Sequence, residues 1–282
     1  MTSPHRSAAR IQIGTTLRRM REETGVPRER VGEVLHCTLT KISNIENAIS
    51  GVKQAELEKL LDLYQADEAT REDLLTLNSE AHRRRPKSKI GGTIQPWLRR
   101  ILDVEAIATE ALYSSFELLP AVLQTEHYTR ALMTGIGLSG EVLEKNLQLR
   151  LERQALLTDR KPPLKLWAVV SEPALRAGIG GPEVMRDQLK HVLALTELEN
   201  VVVQVMPQGA GAHALTGTTL TLFRLPNGMP SLVSVDTPFG DHFEDGANHV
   251  ERATRWFDHT RAKASGVEES RELLTRITEE TT

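Results

Sequence analysis

The sequence predicts two domains of different class: an all-α N-terminal domain of five helices, then an α+β domain with a small sheet of about four strands. Three observations carry this expectation. Residues 10–80 are rich in apolar side chains at helical spacing and contain one proline, Pro27. A basic stretch with proline and glycine, HRRRPKSKIGG from His82 to Gly92, then breaks the pattern. Beyond it, helical spacing over 96–159 gives way to short runs rich in β-branched residues, bounded by Pro and Gly. A chain of 282 residues also exceeds the usual size of one domain. The boundaries read as 8–81 for the helical domain, 82–92 for a basic linker and 93–282 for the α+β domain.

The elements follow in order. Ile13, Leu17 and Met20 recur at i, i+4 and i+7 on one face of a first helix, which stops at Thr24-Gly25, where glycine takes a left-handed cap. Pro27 opens the second helix, a position where its missing N–H costs nothing, and Val31, Val34 and Leu35 form its inner face. Leu39, Ile42 and Ile45 mark a third helix, Leu57, Leu60, Leu61 and Tyr64 a fourth, and Leu74, Leu75 and Leu77 a fifth. In the larger domain Trp97, Ile101, Leu102 and Val104 start a helical region. Strands are expected at 164–171, 201–206, 218–225 and 231–236, with a turn at Pro226-Asn227-Gly228. Helices are expected at 182–198 and 246–264.

Composition narrows the function classes. No apolar run approaches the roughly 20 residues that span a bilayer, and the N-terminal MTSPHRSAAR lacks the apolar core of a secretory signal, so a cytoplasmic, nucleoid-associated protein is expected. The single cysteine, Cys37, excludes an internal disulfide and a cysteine-based zinc cage; it reads as a small hydrophobe. The net charge of -3 hides an asymmetry: residues 1–89 carry +3 and the remainder -6, so the front is the part suited to a polyanion.

The stretch PRERVGEVLHCTLTKISNIENA, 27–48, carries the chemistry. Two short helices joined by a tight turn let the second enter a major groove. Such a pair needs a small residue where the helices cross (Gly32), a turn residue that tolerates positive φ (His36) and an N-cap for the second helix (Thr38). Thr40, Lys41 and Asn44 are expected on the face opposite Ile42 and Ile45, with Leu39 at the exposed first turn. Asn44 suits adenine, and Leu39 or the Thr40 methyl suits a thymine methyl; Arg28, Thr38 and Lys41 suit phosphate. With the preceding LRRMREETGV, this stretch resembles the helix-turn-helix of the xenobiotic-response-element family, which includes the lambdoid phage repressors, most specifically at Ile42-Ser43-Asn44-Ile45-Glu46. The resemblance implies a recognition helix at 38–46, contacts to double-stranded DNA from Arg28, Thr38, Leu39, Thr40, Lys41 and Asn44, and regulation of transcription. Regulators of this kind commonly bind as homodimers, with half-sites roughly 34 Å apart. This chain departs from the family in Pro27-Arg28, where Ser-Gln is common, and in His36, where glycine is common.

Trp97, Glu105-Ala106, Tyr113, LLPAVLQTEHYTRAL (118–132), RLERQ (150–154), Glu172 with Ala174-Leu175-Arg176, and NVVVQVMP (200–207) resemble a C-terminal domain of unknown function that accompanies such helix-turn-helices in many actinobacterial regulators. Ala121 stands where glycine usually follows Leu-Pro. That resemblance implies an antitoxin-like role beside a small partner protein encoded nearby. The alternative function is therefore an interaction module whose main task is to bind that partner. LLPAVLQTEHY has few charges and reads as core more readily than as a contact surface; within a sensing role, Gln124, Arg150, Arg153 and Gln154 are the candidate partner or effector contacts. The run DTPFGDHFEDGANH, 236–249, gathers Asp236, Asp241, His242, Glu244, Asp245 and His249, but reads as a solvated acidic loop, as His213 reads as a loop residue. With no HExxH, phosphate loop or nucleophile elbow, neither an enzyme nor a cofactor is expected.

Overall fold

The computed structural model describes residues 4–82, 96–226, 229–237 and 240–281. The chain forms two compact units, the first made mainly of residues up to Ile107 and the second of Ala108–Pro226 with the residues from Pro230 onward. Of the basic linker expected at 82–92, His82 ends α5 and residues 83–92 lie outside the described residues, as do the turn residues Asn227 and Gly228 and the side chain of Trp97.

The first unit is helical: α1 (Pro4–Glu23), α2 (Arg28–Leu35), α3 (Leu39–Glu46), α4 (Gln54–Leu63), α5 (Glu68–His82) and α6 (Pro96–Ile107). Ile13, Leu17, Met20, Val31, Leu35, Ile42, Ile45, Leu57, Leu60, Leu61, Tyr64 and Leu74 close one core, in which Cys37 and Val34 take part from its margin. Gly25 ends α1 at φ 66, as its position after the last apolar residue requires. Pro27 sits one residue outside α2, as its N-cap at φ -71 and ψ 152. The helix that begins near Trp97 packs along α1.

The second unit holds six strands, two more than the sequence led us to expect: β1 (Glu110–Ser115), β2 (Lys165–Ser171), β3 (Val201–Met206), β4 (Leu220–Arg224), β5 (Leu232–Val235) and β6 (His242–Glu244), in the order β3-β2-β1-β4-β5-β6. β1, read as part of a helical region, is central. It pairs parallel with β2 and antiparallel with β4, and its five residues after Glu110 are buried, so no polar alternation marks it. β6 is three residues long and emerges from the acidic run to pair with β5, Val233 opposite Glu244 and Val235 opposite His242.

The parallel half is made by crossovers and the antiparallel half by a meander. Between β1 and β2 run a 3-10 turn (Ala121–Leu123), α7 (Glu126–Gly135) and α8 (Gly140–Thr158); between β2 and β3 run α9 (Glu172–Leu175) and α10 (Pro182–Leu195). Both crossovers step the same way along the sheet, which for right-handed connections puts their helices on one face. On the other face lies α11 (Ala247–Lys263), whose Ala253 and Phe257 pack with Leu112, Val169, Leu220, Leu222 and Val233. A last helix absent from our sequence reading, α12 (Val267–Glu280), runs along the outer edge of β3. There the Val205 N–H donates to Ser270 Oγ at 2.9 Å and the Val205 carbonyl accepts the Ser265 N–H at 2.9 Å.

Candidate nucleic-acid interface

Local chemistry fixes the α2–α3 pair. His36 adopts φ 50 and ψ 51, its N–H bonded to Glu33 O at 3.3 Å, while the Cys37 N–H reaches Gly32 O at 3.0 Å. Thr38 then caps α3, its Oγ1 accepting the Lys41 N–H at 3.3 Å. At Gly32 a Cβ would stand 3.1 Å from the Cys37 carbonyl and 3.6 Å from Ile42, so the crossing leaves room for little more than glycine. Gly14 of α1 is tighter still. A Cβ there would lie 2.5 Å from Ile45 O and 2.9 Å from Glu46 O, so the backbone of α1 braces the C-terminal end of α3 directly. After α3 the chain turns through Ala48 at φ 57, a left-handed residue with a side chain, and the Ser50 N–H returns to Asn44 O at 3.1 Å.

Two carboxylates anchor the pair from beneath. Glu46 is 3% exposed and accepts from two guanidiniums: Arg21 through Nε at 2.5 Å and Nη2 at 3.2 Å, and Arg28 through Nε at 3.0 Å and Nη2 at 2.8 Å. Arg21 Nη2 also lies 3.3 Å from Glu22 Oε1 of its own helix, while Arg28 turns outward, its side chain 40% exposed. The bond to Glu46 raises the pKa of Arg21 above its ordinary value. On the other flank Lys41 Nζ lies 2.6 Å from Glu56 Oε1, in the first turn of α4, and that bond raises the Lys41 pKa. Burial pushes the Glu56 carboxyl up, but the Lys41 ammonium and the Lys53 N–H together bring it below its usual value.

The expected contact residues fall into two groups. Thr38, Leu39 and Thr40 are exposed, and Asn44 is half-exposed on the same outward side. Neither the Thr40 hydroxyl nor the Asn44 amide is engaged by another described residue. Arg28 and Lys41, by contrast, sit on the flanks and are ion-paired; Lys41 faces α4 and does not share the stripe of Thr40 and Asn44. The stripe also contains Ser43 and Asn47, which sequence reasoning did not single out; Asn47 Nδ2 donates to Ser43 Oγ at 3.1 Å. Arg21, Glu46, Glu56 and Gly14 were missed as well. Glu46 was visible in the motif, but its partners are 18 and 25 residues away and carry no local signal. At eight residues, α3 is about 12 Å long, comparable to the width of a major groove.

In the second unit the four candidate contacts are largely internal. Gln124 is 2% exposed, donating to Leu119 O at 2.7 Å and accepting from Thr129 Oγ1 at 3.2 Å. Arg153 is buried, while Arg150 and Gln154 are half-buried. Around Gln124, Leu119, Ala121, Val122, Leu123 and Tyr128 are core, pinned by Gln188 of α10, which accepts the Thr125 N–H and donates to Leu123 O, both at 2.7 Å. In the acidic run, Glu244 lies between His242 Nε2 at 2.9 Å and His249 Nδ1 at 2.8 Å, and these bonds hold its carboxyl below the usual range. His213 rests against Phe116, ring centroids 4.5 Å apart.

A family model described as a helix-turn-helix domain matches residues 12–74, the span of α1 to α5, and one described as a domain of unknown function (DUF5753) matches residues 98–276. Comparison with curated proteins and with solved structures gives no match. The N-terminal unit is thus a helix-turn-helix domain, a fold that points to DNA binding and the regulation of transcription, and the chain as a whole belongs to the DUF5753 family.

Proposed function

We propose that this protein is a sequence-specific transcriptional regulator of the xenobiotic-response-element type that reads operator DNA with α3. The observation that carries the reading is the uncharged, unengaged stripe of Leu39, Thr40 and Asn44, held on a helix that is capped, braced by Gly14 and anchored through Glu46. Side chains on a rigid element can read base edges, while Arg28 at the start of α2 and Lys41 on the other flank supply cations for the phosphates. The protein acts as a homodimer on a palindromic operator, in the cytoplasm at the nucleoid. Its second domain binds a partner protein or effector, for which the half-buried Arg150 and Gln154 offer more surface than Gln124 or Arg153. No helix among the described residues is long and apolar enough to cross a membrane.

The test is binding of the full chain to the DNA upstream of its own gene, titrated with salt, beside a Thr40→Ala/Asn44→Ala double variant. Preference for one site in the wild type and only salt-sensitive, unselective binding in the variant is the expected result. Equal binding by both at every salt concentration would remove α3 as the reading element.

A further inference from the structure

We infer that α3 reads adenine–thymine pairs and leaves guanine unread; this rests on the assignment of α3 as a DNA-reading helix. In the major groove guanine presents two acceptors, N7 and O6, and is read best by a cation with paired donors, arginine above all. The outward stripe of α3, formed by Leu39, Thr40, Ser43, Asn44 and Asn47, carries no cation. The two cations on its flanks are turned away from it. Arg28 gives Nε and Nη2 to Glu46, and Lys41 gives Nζ to Glu56 at 2.6 Å. Pulling either toward a base would leave a carboxylate with a lost partner, at a high cost for the buried Glu46 and a smaller one for Glu56, whose side chain is 18% exposed.

What the stripe offers instead matches adenine and thymine. Asn44 holds one donor and one acceptor in a plane, the complement of adenine N6 and N7, and no described residue competes for its amide. Asn47 is committed to Ser43, so the stripe holds one open amide and not two. Leu39 is 48% exposed at the first turn of α3, an apolar surface with water as its present neighbour. A thymine methyl would replace that water with apolar contact, and the Thr40 methyl stands one residue on. A guanine placed against the same stripe would lose water from both acceptors and regain at best single hydrogen bonds.

The experiment uses the full chain and a library of duplexes with a randomised core, selected by binding at low salt. From the enriched duplex, each thymine is replaced in turn by uracil, which lacks only the C5 methyl, and each adenine by 7-deazaadenine, which lacks only N7. The expected result is enrichment of A·T pairs at the positions whose preference Leu39→Ala and Asn44→Ala variants lose. There, uracil weakens binding about fourfold, the worth of one buried methyl group. 7-deazaadenine weakens it about tenfold, within the range for a bidentate contact. Leu39→Ala becomes insensitive to uracil and Asn44→Ala to 7-deazaadenine. Both side chains lie on the outer face, and matching circular dichroism confirms that each variant is folded. Enrichment of G·C pairs at those positions, or full affinity for the uracil and 7-deazaadenine duplexes, would overturn the inference while leaving DNA reading in place. If no sequence is enriched at all, the assignment of α3 as a reading helix falls, and this inference with it.

Discussion

Glu46 joins three helices through one carboxylate: it sits at the end of α3, takes Arg21 from α1 and takes Arg28 from α2. Replacing it by alanine leaves the buried Arg21 guanidinium with only the exposed Glu22 at 3.3 Å, and loss of one partner from a buried pair costs about 3–5 kcal/mol. Amide hydrogen exchange across α1 to α5 should therefore speed up in Glu46→Ala while the second unit stays protected; unchanged exchange in α1 would show that the pair adds nothing to that core. Ala48 points the opposite way. At φ 57 its Cβ is strained, and glycine removes the strain at some cost in chain entropy, so Ala48→Gly should stabilise the first unit by about 0.5–1 kcal/mol, read as slower exchange of the same amides. These two residues also show what a sequence conceals at this scale. Thr38 as a cap and His36 in a left-handed turn were legible because both act within three or four residues. The ties of Glu46 were not, because they span a turn and two helices and no periodicity encodes them.

The helix-turn-helix itself was legible because every signal for it is local: apolar spacing, a glycine at the crossing and a polar cap. The sheet was less so. β2 to β5 announce themselves by β-branched runs, whereas β1 is buried between two strands with Ala, Leu and Ser in place of that signature, and its role depends on partners 55 and 114 residues away at Glu110. The joint between α3 and α4 makes a pH prediction. Because the carboxyl of Glu56 is held below its ordinary value in the folded protein, its contribution to stability is complete above the ordinary glutamate pKa. It is lost as pH falls through the lowered native one. Between roughly pH 5 and pH 3 the thermal midpoint of the wild type should therefore drop more steeply than that of a Glu56→Gln variant. Parallel curves would mean that the Lys41 link is equally strong in the unfolded chain.

Across the whole molecule, the two units differ in how they are held together. The helical unit relies on one small core and buried ion pairs, the second on a six-stranded sheet clad on both faces. In the second unit the boundary at β3 is guarded by few atoms. Ser270→Ala would leave the N–H of the fully buried Val205 unpaired, at about 1–3 kcal/mol, and equilibrium denaturation followed by Trp167, on the neighbouring β2, should report the loss. An unchanged transition would mean that water replaces the serine. The same arrangement bears on what a shortened chain would do. Ser270 of α12 and Ser265 just before it take the outward N–H and C=O of Val205, and α12 buries Leu273, Leu274 and Ile277 beside β3. A chain cut after Ala264 would keep its sheet but bare a six-residue edge strand, Val201–Met206, whose open N–H and C=O groups can recruit the same strand of another molecule. α12 is therefore a stop to growth as much as a prop to stability, and its loss would show first as polymer, before the sheet itself unfolds.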